Sequence, residues 1–182
     1  MGRIGQRKLT AALFCVGIAN QRTRHSMGFT KLSLKGRALK LLAQREHSRS
    51  ELETKLARHV EEGEDLGAIL DELEAKNFID PERVAASVVH RRASRMGTQR
   101  VVQELRSKGL DEALIKYTAA ELQSTELERA KAVWKSKFGS KEPASTPQEK
   151  AKQMRFLAAR GFSGDVVRKV LKSAAEDEGD FD

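Results

Sequence analysis

The chain has 182 residues, of which 33% are charged, 39% hydrophobic and 5% aromatic, with a formal net charge of +8. Three prolines and abundant Ala, Leu, Glu, Lys and Arg argue against a strand-rich fold and for thin helical layers with much exposed surface. One cysteine, Cys15, excludes an internal disulfide framework and fits a reducing compartment.

The first segment is basic, "MGRIGQRK", followed by the apolar run "LTAALFCVGIA" with Gly17 and Ala19 spaced as for a signal-peptidase site. The run is too short to span a bilayer. The competing reading makes residues 1–33 a disordered extension ahead of a domain that begins near Leu34, with Met27 as an alternative start.

From Leu34 onward the spacing predicts a series of short helices. "LKGRALKLLAQR" places Leu34, Ala38, Leu41 and Leu42 on one face. Ser48 and Glu51 form a capping box ahead of Leu52 and Leu56. Leu66, Ile69, Leu70 and Leu73 make a third stripe, closed by Asn77, and Asp80-Pro81-Glu82 opens a fourth helix with Val84, Ala85 and Val88 inward. Gly97-Thr98 restarts the chain into "QRVVQELRSK", which Gly109 closes with Leu110 behind it. Asp111 caps a sixth helix through Leu122, and Thr125 with Glu128 reads as a capping box for a seventh, through Trp134 to Phe138. After the linker "GSKEPAST", Thr146-Pro147-Gln148-Glu149 starts the eighth, which Gly161 ends with Phe162 behind it; Ser163 caps the ninth.

No stretch alternates with period two, so the expected fold is all-α. The nine helices fall into three trihelical repeats, 34–77, 80–122 and 125–175, followed by an acidic tail, 176–182. R-x-x-S recurs as Arg45–Ser48, Arg91–Ser94 and Arg160–Ser163, but the third lies at the second junction of its repeat and the first two at the first. Each repeat has too little core to stand alone, so stacking is the expected solution.

No phosphate loop or nucleophile elbow is present, and His25, His47, His59 and His90 lack metal-ligand spacing. The sequence therefore points to a non-enzyme without cofactor or metal. Charge comes in blocks: +5 over 31–60, −7 over 61–80, +5 over 81–110 and +8 over 131–172. Arg91, Arg92, Arg95 and Arg100 crowd around Gly97, with Glu104 the nearest acid. Lys150, Lys152, Arg155, Arg160, Arg168, Lys169 and Lys172 form a second group. With Lys108, these cations are candidates for contact with an extended anionic partner.

"REHSRSELETKL", "FIDPERVAASVV", "QELRSKGL" and "EKAKQMRFLAARGFS", in this order and with these gaps, resemble the RecX family of bacterial regulators of the RecA recombinase, over about 34–173. Glu51, Leu52, Lys55 and Leu56, with Arg45 and Ser48 before them, match the first motif. Glu104, Leu105, Lys108 and Gly109 match another, and Arg160, Gly161, Phe162 and Ser163 the last. Pro81 departs from the pattern, which more often has an acid there. The resemblance implies an elongated, curved array of tandem three-helix repeats with no catalytic activity. It implies a cytoplasmic monomer, not bound to membranes, that lies along the RecA–DNA filament. There it would inhibit filament growth, ATP hydrolysis, strand exchange and coprotease action, with single- or double-stranded DNA as a further partner. Within the resemblance, Leu52, Leu56, Leu105 and Phe162 are expected in the core, and Gly109 and Gly161 as helix caps. A cytoplasmic role also disfavours the signal-peptide reading.

The rival reading is a DNA-binding transcription regulator that uses the last two helices as a helix–turn–helix. Its recognition segment, "SGDVVRKVLKSA", offers one Arg and no Asn or Gln for base edges.

Overall fold

The computed structural model describes residues 32–139 and 146–176. Expectations for residues 1–31, for most of the linker and for the end of the acidic tail lie outside the described residues. Within them the chain is all-helical: α1 (Leu34–Leu42), α2 (Arg49–Leu56, extended by a 3-10 turn over Ala57–His59), α3 (Leu66–Ala75), α4 (Pro81–Arg92), α5 (Thr98–Ser107), α6 (Glu112–Ser124), α7 (Glu126–Phe138), α8 (Pro147–Ala159) and α9 (Gly164–Glu176).

Local chemistry sets most of these boundaries. Ser48 and Thr146 each form a complete capping box, with Glu51 and Glu149, while Asp65, Asp80 and Asp111 accept from first-turn amides. At the closing ends the chain turns left-handed at Asn77 (φ 56°), Gly109 (φ 69°) and Gly161 (φ 83°). One expected cap does not form. Thr125 ends α6 and begins α7 with φ −107° and ψ 3°, so it lacks the extended backbone that aims a cap side chain at the next turn. Its hydroxyl instead donates to Leu122 O at 3.4 Å and accepts from Arg129 Nε at 3.3 Å.

The helices bury three separate apolar clusters. Leu34, Ala38, Leu52, Leu56, Leu70, Leu73 and Ile79 form the first, within α1–α3 and the segment after it. Ala85, Val88, Val101, Leu105, Ile115 and Leu122 form the second, within α4–α6. Ala130, Val133, Leu157, Phe162, Val167 and Val170 form the third, within α7–α9. Six or seven buried side chains make a thin core for a trihelical group, so the joints between groups matter.

The two joints follow one rule: the second turn of each group packs on the first turn of the group before it. At the first joint, a β-carbon on Gly109 would lie 3.0 Å from Ser50 Cβ. Lys108 Nζ lies 2.8 Å from Glu51 Oε1, and Arg83 Nε 3.1 Å from Glu46 Oε1. At the second, Gly97 N donates to Arg160 O at 2.9 Å and Gln99 N to Gly161 O at 3.2 Å. A β-carbon on Gly97 would stand 2.2 Å from Gly161 O, and one on Gly161 2.6 Å from Arg100 N. The rule explains the displaced R-x-x-S: the Arg160–Ser163 turn belongs opposite the Arg91–Ser94 turn.

His47 sits inside the first joint, 1% exposed, with Nδ1 lacking a hydrogen-bond partner and 3.7 Å from Glu51 Oε2. Burial, helped by Arg45 and Lys55, holds its pKa down from 6.5 to about 4. Burial would raise the Glu51 carboxyl, but hydrogen bonds from Arg45, Lys108 and Ser48 N–H outweigh it and bring the pKa from 4.5 to about 2.

Phe162→Ala empties a position that is 2% exposed and should cost about 3–5 kcal/mol in a denaturant melt. Gly97→Ala should destabilise by well over the ~1 kcal/mol of an average point mutant, because backbone rather than a yielding side chain blocks the new methyl.

The first joint also predicts a pH dependence. An unfolded His47 takes up a proton near pH 6.5 that the folded one refuses until about 4, so stability should fall as pH drops through that window. Glu51 adds a second loss between pH 4.5 and about 2. In thermal melts against pH, His47→Leu should flatten the upper window and leave the lower one. Parallel curves for both proteins would refute this assignment.

Candidate functional site

The candidate cations fall into distinct settings. Arg91, Arg92, Arg95 and Arg100 are all exposed around the α4–α5 turn. Their mutual repulsion is relieved more than their spacing suggests. Glu104, nearly two helical turns into α5, reaches back to Arg92 Nε at 2.8 Å and Arg91 Nη2 at 3.6 Å. Arg100 Nη1 meets Gln103 Oε1 at 3.4 Å, whereas Arg95 has no ion-pair partner among the described residues.

Lys108 is not a surface cation. It is 8% exposed and its ammonium faces Glu51, because Lys108 is the C-cap residue of α5 at the joint to the first group. Of the other first-motif positions, Leu52 and Leu56 are buried, Lys55 is exposed, and Arg45 Nη2 pairs with Glu51 at 3.0 Å. Leu105 and Phe162 are buried, as the resemblance implied.

On the third group, Lys150, Lys152 and Arg155 of α8 and Lys169 of α9 are exposed; Arg168, also exposed, pairs with Asp165 one turn away. Arg160 is half-buried. Its Nη1 donates to Arg95 O at 3.0 Å and its guanidinium lies 4.5 Å over the Phe156 ring. The structure thus brings Arg160 to Arg95 and keeps Lys108 away from both.

The sequence reading missed the pair of charges that fixes this surface. Glu126, 4% exposed, accepts from Thr98 N at 2.9 Å and from Ser163 Oγ at 3.4 Å. It supplies the cap that α5 lacks, since Gly97 has no side chain to offer. Arg129 donates to the carbonyls of Ala93, Met96 and Leu122 at 2.7–2.9 Å, and burial pulls its pKa down. The available signal was Glu126 and Arg129 directly after a helix with no linker, which resembled an ordinary first-turn acid and a surface cation. Ser163, expected as a cap, turns its hydroxyl to Glu126.

Among the described residues, no group of three or more His, Cys, Asp or Glu is placed to hold a metal ion. No helix there is long and apolar enough to cross a membrane.

Three family models match in order: RecX first three-helix domain over residues 35–73, second over 80–117 and third over 124–171. The regulatory protein RecX of Leptothrix cholodnii is 51% identical over 152 residues, covering 84% of this chain and 95% of that protein. That of Ralstonia nicotianae is 49% identical over 151 residues, covering 82% and 94%. The crystal structure of RecX from Lactobacillus salivarius matches with a TM-score of 0.65 at 18% identity, covering 79% of this chain and 95% of that one, a likeness of fold. Matched in all three of its trihelical groups and along nearly the full length of these relatives, the chain belongs to the RecX family of regulatory proteins.

Proposed function

We propose that this chain is a non-enzymatic regulator that binds the RecA–DNA filament and inhibits its growth, ATP hydrolysis, strand exchange and coprotease activity. The observation that carries this reading is the match of all three RecX domains, in order, to one continuous helical array. Stacked groups give a binding surface reach without a pocket. Exposed cations on two of the groups suit the acidic and phosphate-bearing surfaces of a protein–DNA filament. Acting on RecA places the protein in the cytoplasm, as a monomer laid against its partner.

A helix–turn–helix reading of α8–α9 is less favoured, because the turn between those helices is engaged inside the protein. Gly161 and Phe162 are buried, and Gly161 lies against the backbone of Arg100.

Purified protein should suppress the DNA-dependent ATPase of RecA at concentrations where it does not bind free duplex tightly. Full ATPase activity at saturating protein would overturn the proposal. Lys152→Glu with Arg155→Glu should weaken inhibition, and added salt should weaken inhibition by the wild type. Both residues are exposed, so each substitution should shift stability by no more than about 0.5 kcal/mol.

A further inference from the structure

A cleft of about 510 Å³ opens where α7, α8 and the α4–α5 turn meet. Three cations line it from three segments: Arg95 in the turn, Lys137 in the last turn of α7 and Arg160 at the end of α8. Ser94 and Ser136 add hydroxyls, Phe156 gives an apolar wall, and no Asp or Glu is among the described residues of the lining. The neighbouring cavity, between the end of α4 and α5, differs in this respect. Its arginines, Arg92 and Arg100, share it with Glu104, which already pairs with Arg92.

The cleft is organised in advance. Arg160 is held by its bond to Arg95 O and by the Phe156 ring, which meets Phe138 edge-on with centroids 5.2 Å apart. Its remaining N–H groups make no hydrogen bond to a described residue, and Arg95 and Lys137 lack ion-pair partners among the described residues. Three cations lining one cleft, with no carboxylate among its described residues, repel one another, and an anion with several oxygens would relieve that repulsion.

We propose that this cleft binds a backbone phosphate of a nucleic-acid strand. A phosphodiester offers charge and outward oxygens to donors arriving from three directions, whereas a side-chain carboxylate offers two coplanar oxygens suited to one fork. Nothing in the lining reads sequence. Asn and Gln are absent from its described residues, and the Phe156 ring is engaged by Arg160 and Phe138 rather than open to a base. The inference stands on the cleft alone and does not need the RecA reading.

The test uses the full chain without RecA and a fluorescent single-stranded oligothymidylate, followed by anisotropy across a salt series. Arg95→Ala with Lys137→Ala should weaken binding by about tenfold or more at low salt and reduce the slope of log affinity against log salt by about 0.7, the share of one phosphate contact on a single strand. Lys40→Ala with Lys116→Ala removes the same charge elsewhere and should change both quantities far less. Thermal melts of both variants should match wild type, since all four residues are exposed. Equal weakening by the two double variants would reduce the effect to diffuse attraction and overturn the site. Displacement by poly-glutamate as effective as by unlabelled oligonucleotide would also overturn it, in favour of an acidic protein surface.

Discussion

Gly97 and Gly161 meet backbone to backbone, and a β-carbon on either would collide with the main chain or first side-chain carbon of the other turn. That approach lets the α4–α5 and α8–α9 turns exchange main-chain hydrogen bonds. It also brings Arg160 within reach of Arg95 O, and Ser163 and Thr98 N within reach of one carboxylate, Glu126. The arrangement of charge on the third group's inner edge is thus a product of two residues with no side chain.

Buried charge completes what the glycines begin. Three apolar clusters of similar make-up would tolerate more than one way of stacking, because apolar contact has little direction. Glu51 facing Lys108, Glu126 facing Thr98 N–H, and Arg129 facing three carbonyls each accept one register. Such groups are weak evidence for net stability, since desolvation offsets much of their attraction. Leaving one partner alone in the joint, however, is strongly unfavourable, on the order of 3–5 kcal/mol. We read them as the features that specify how the groups stack.

Much of the fold was legible because it is written locally. Capping boxes at Ser48 and Thr146, Asp80 before Pro81, and glycines after Lys108 and Arg160 act within a few residues, and each did what its spacing implied. The candidate surface was less legible because its determinants are distant in sequence. Lys108 withdrawn to Glu51 and Lys137 sharing a cleft with Arg95 depend on which turns stack, and Glu104 neutralising Arg92 depends on how α5 packs back on α4. Thr125 shows the same limit in miniature. Its T-x-x-E spacing was right for a cap, but continuity with α6 denied it the extended backbone that a cap needs.

Because each first turn is completed by the second turn of the next group, the chain matures in one direction on the ribosome. Glu51 emerges 57 residues before the lysine that answers it, and Arg95 emerges 65 residues before the arginine that binds its carbonyl. During that interval the leading group carries an unfinished edge of solvated charge rather than bare hydrocarbon. A nascent chain whose incomplete edges are polar can wait in water without adhering to its neighbours.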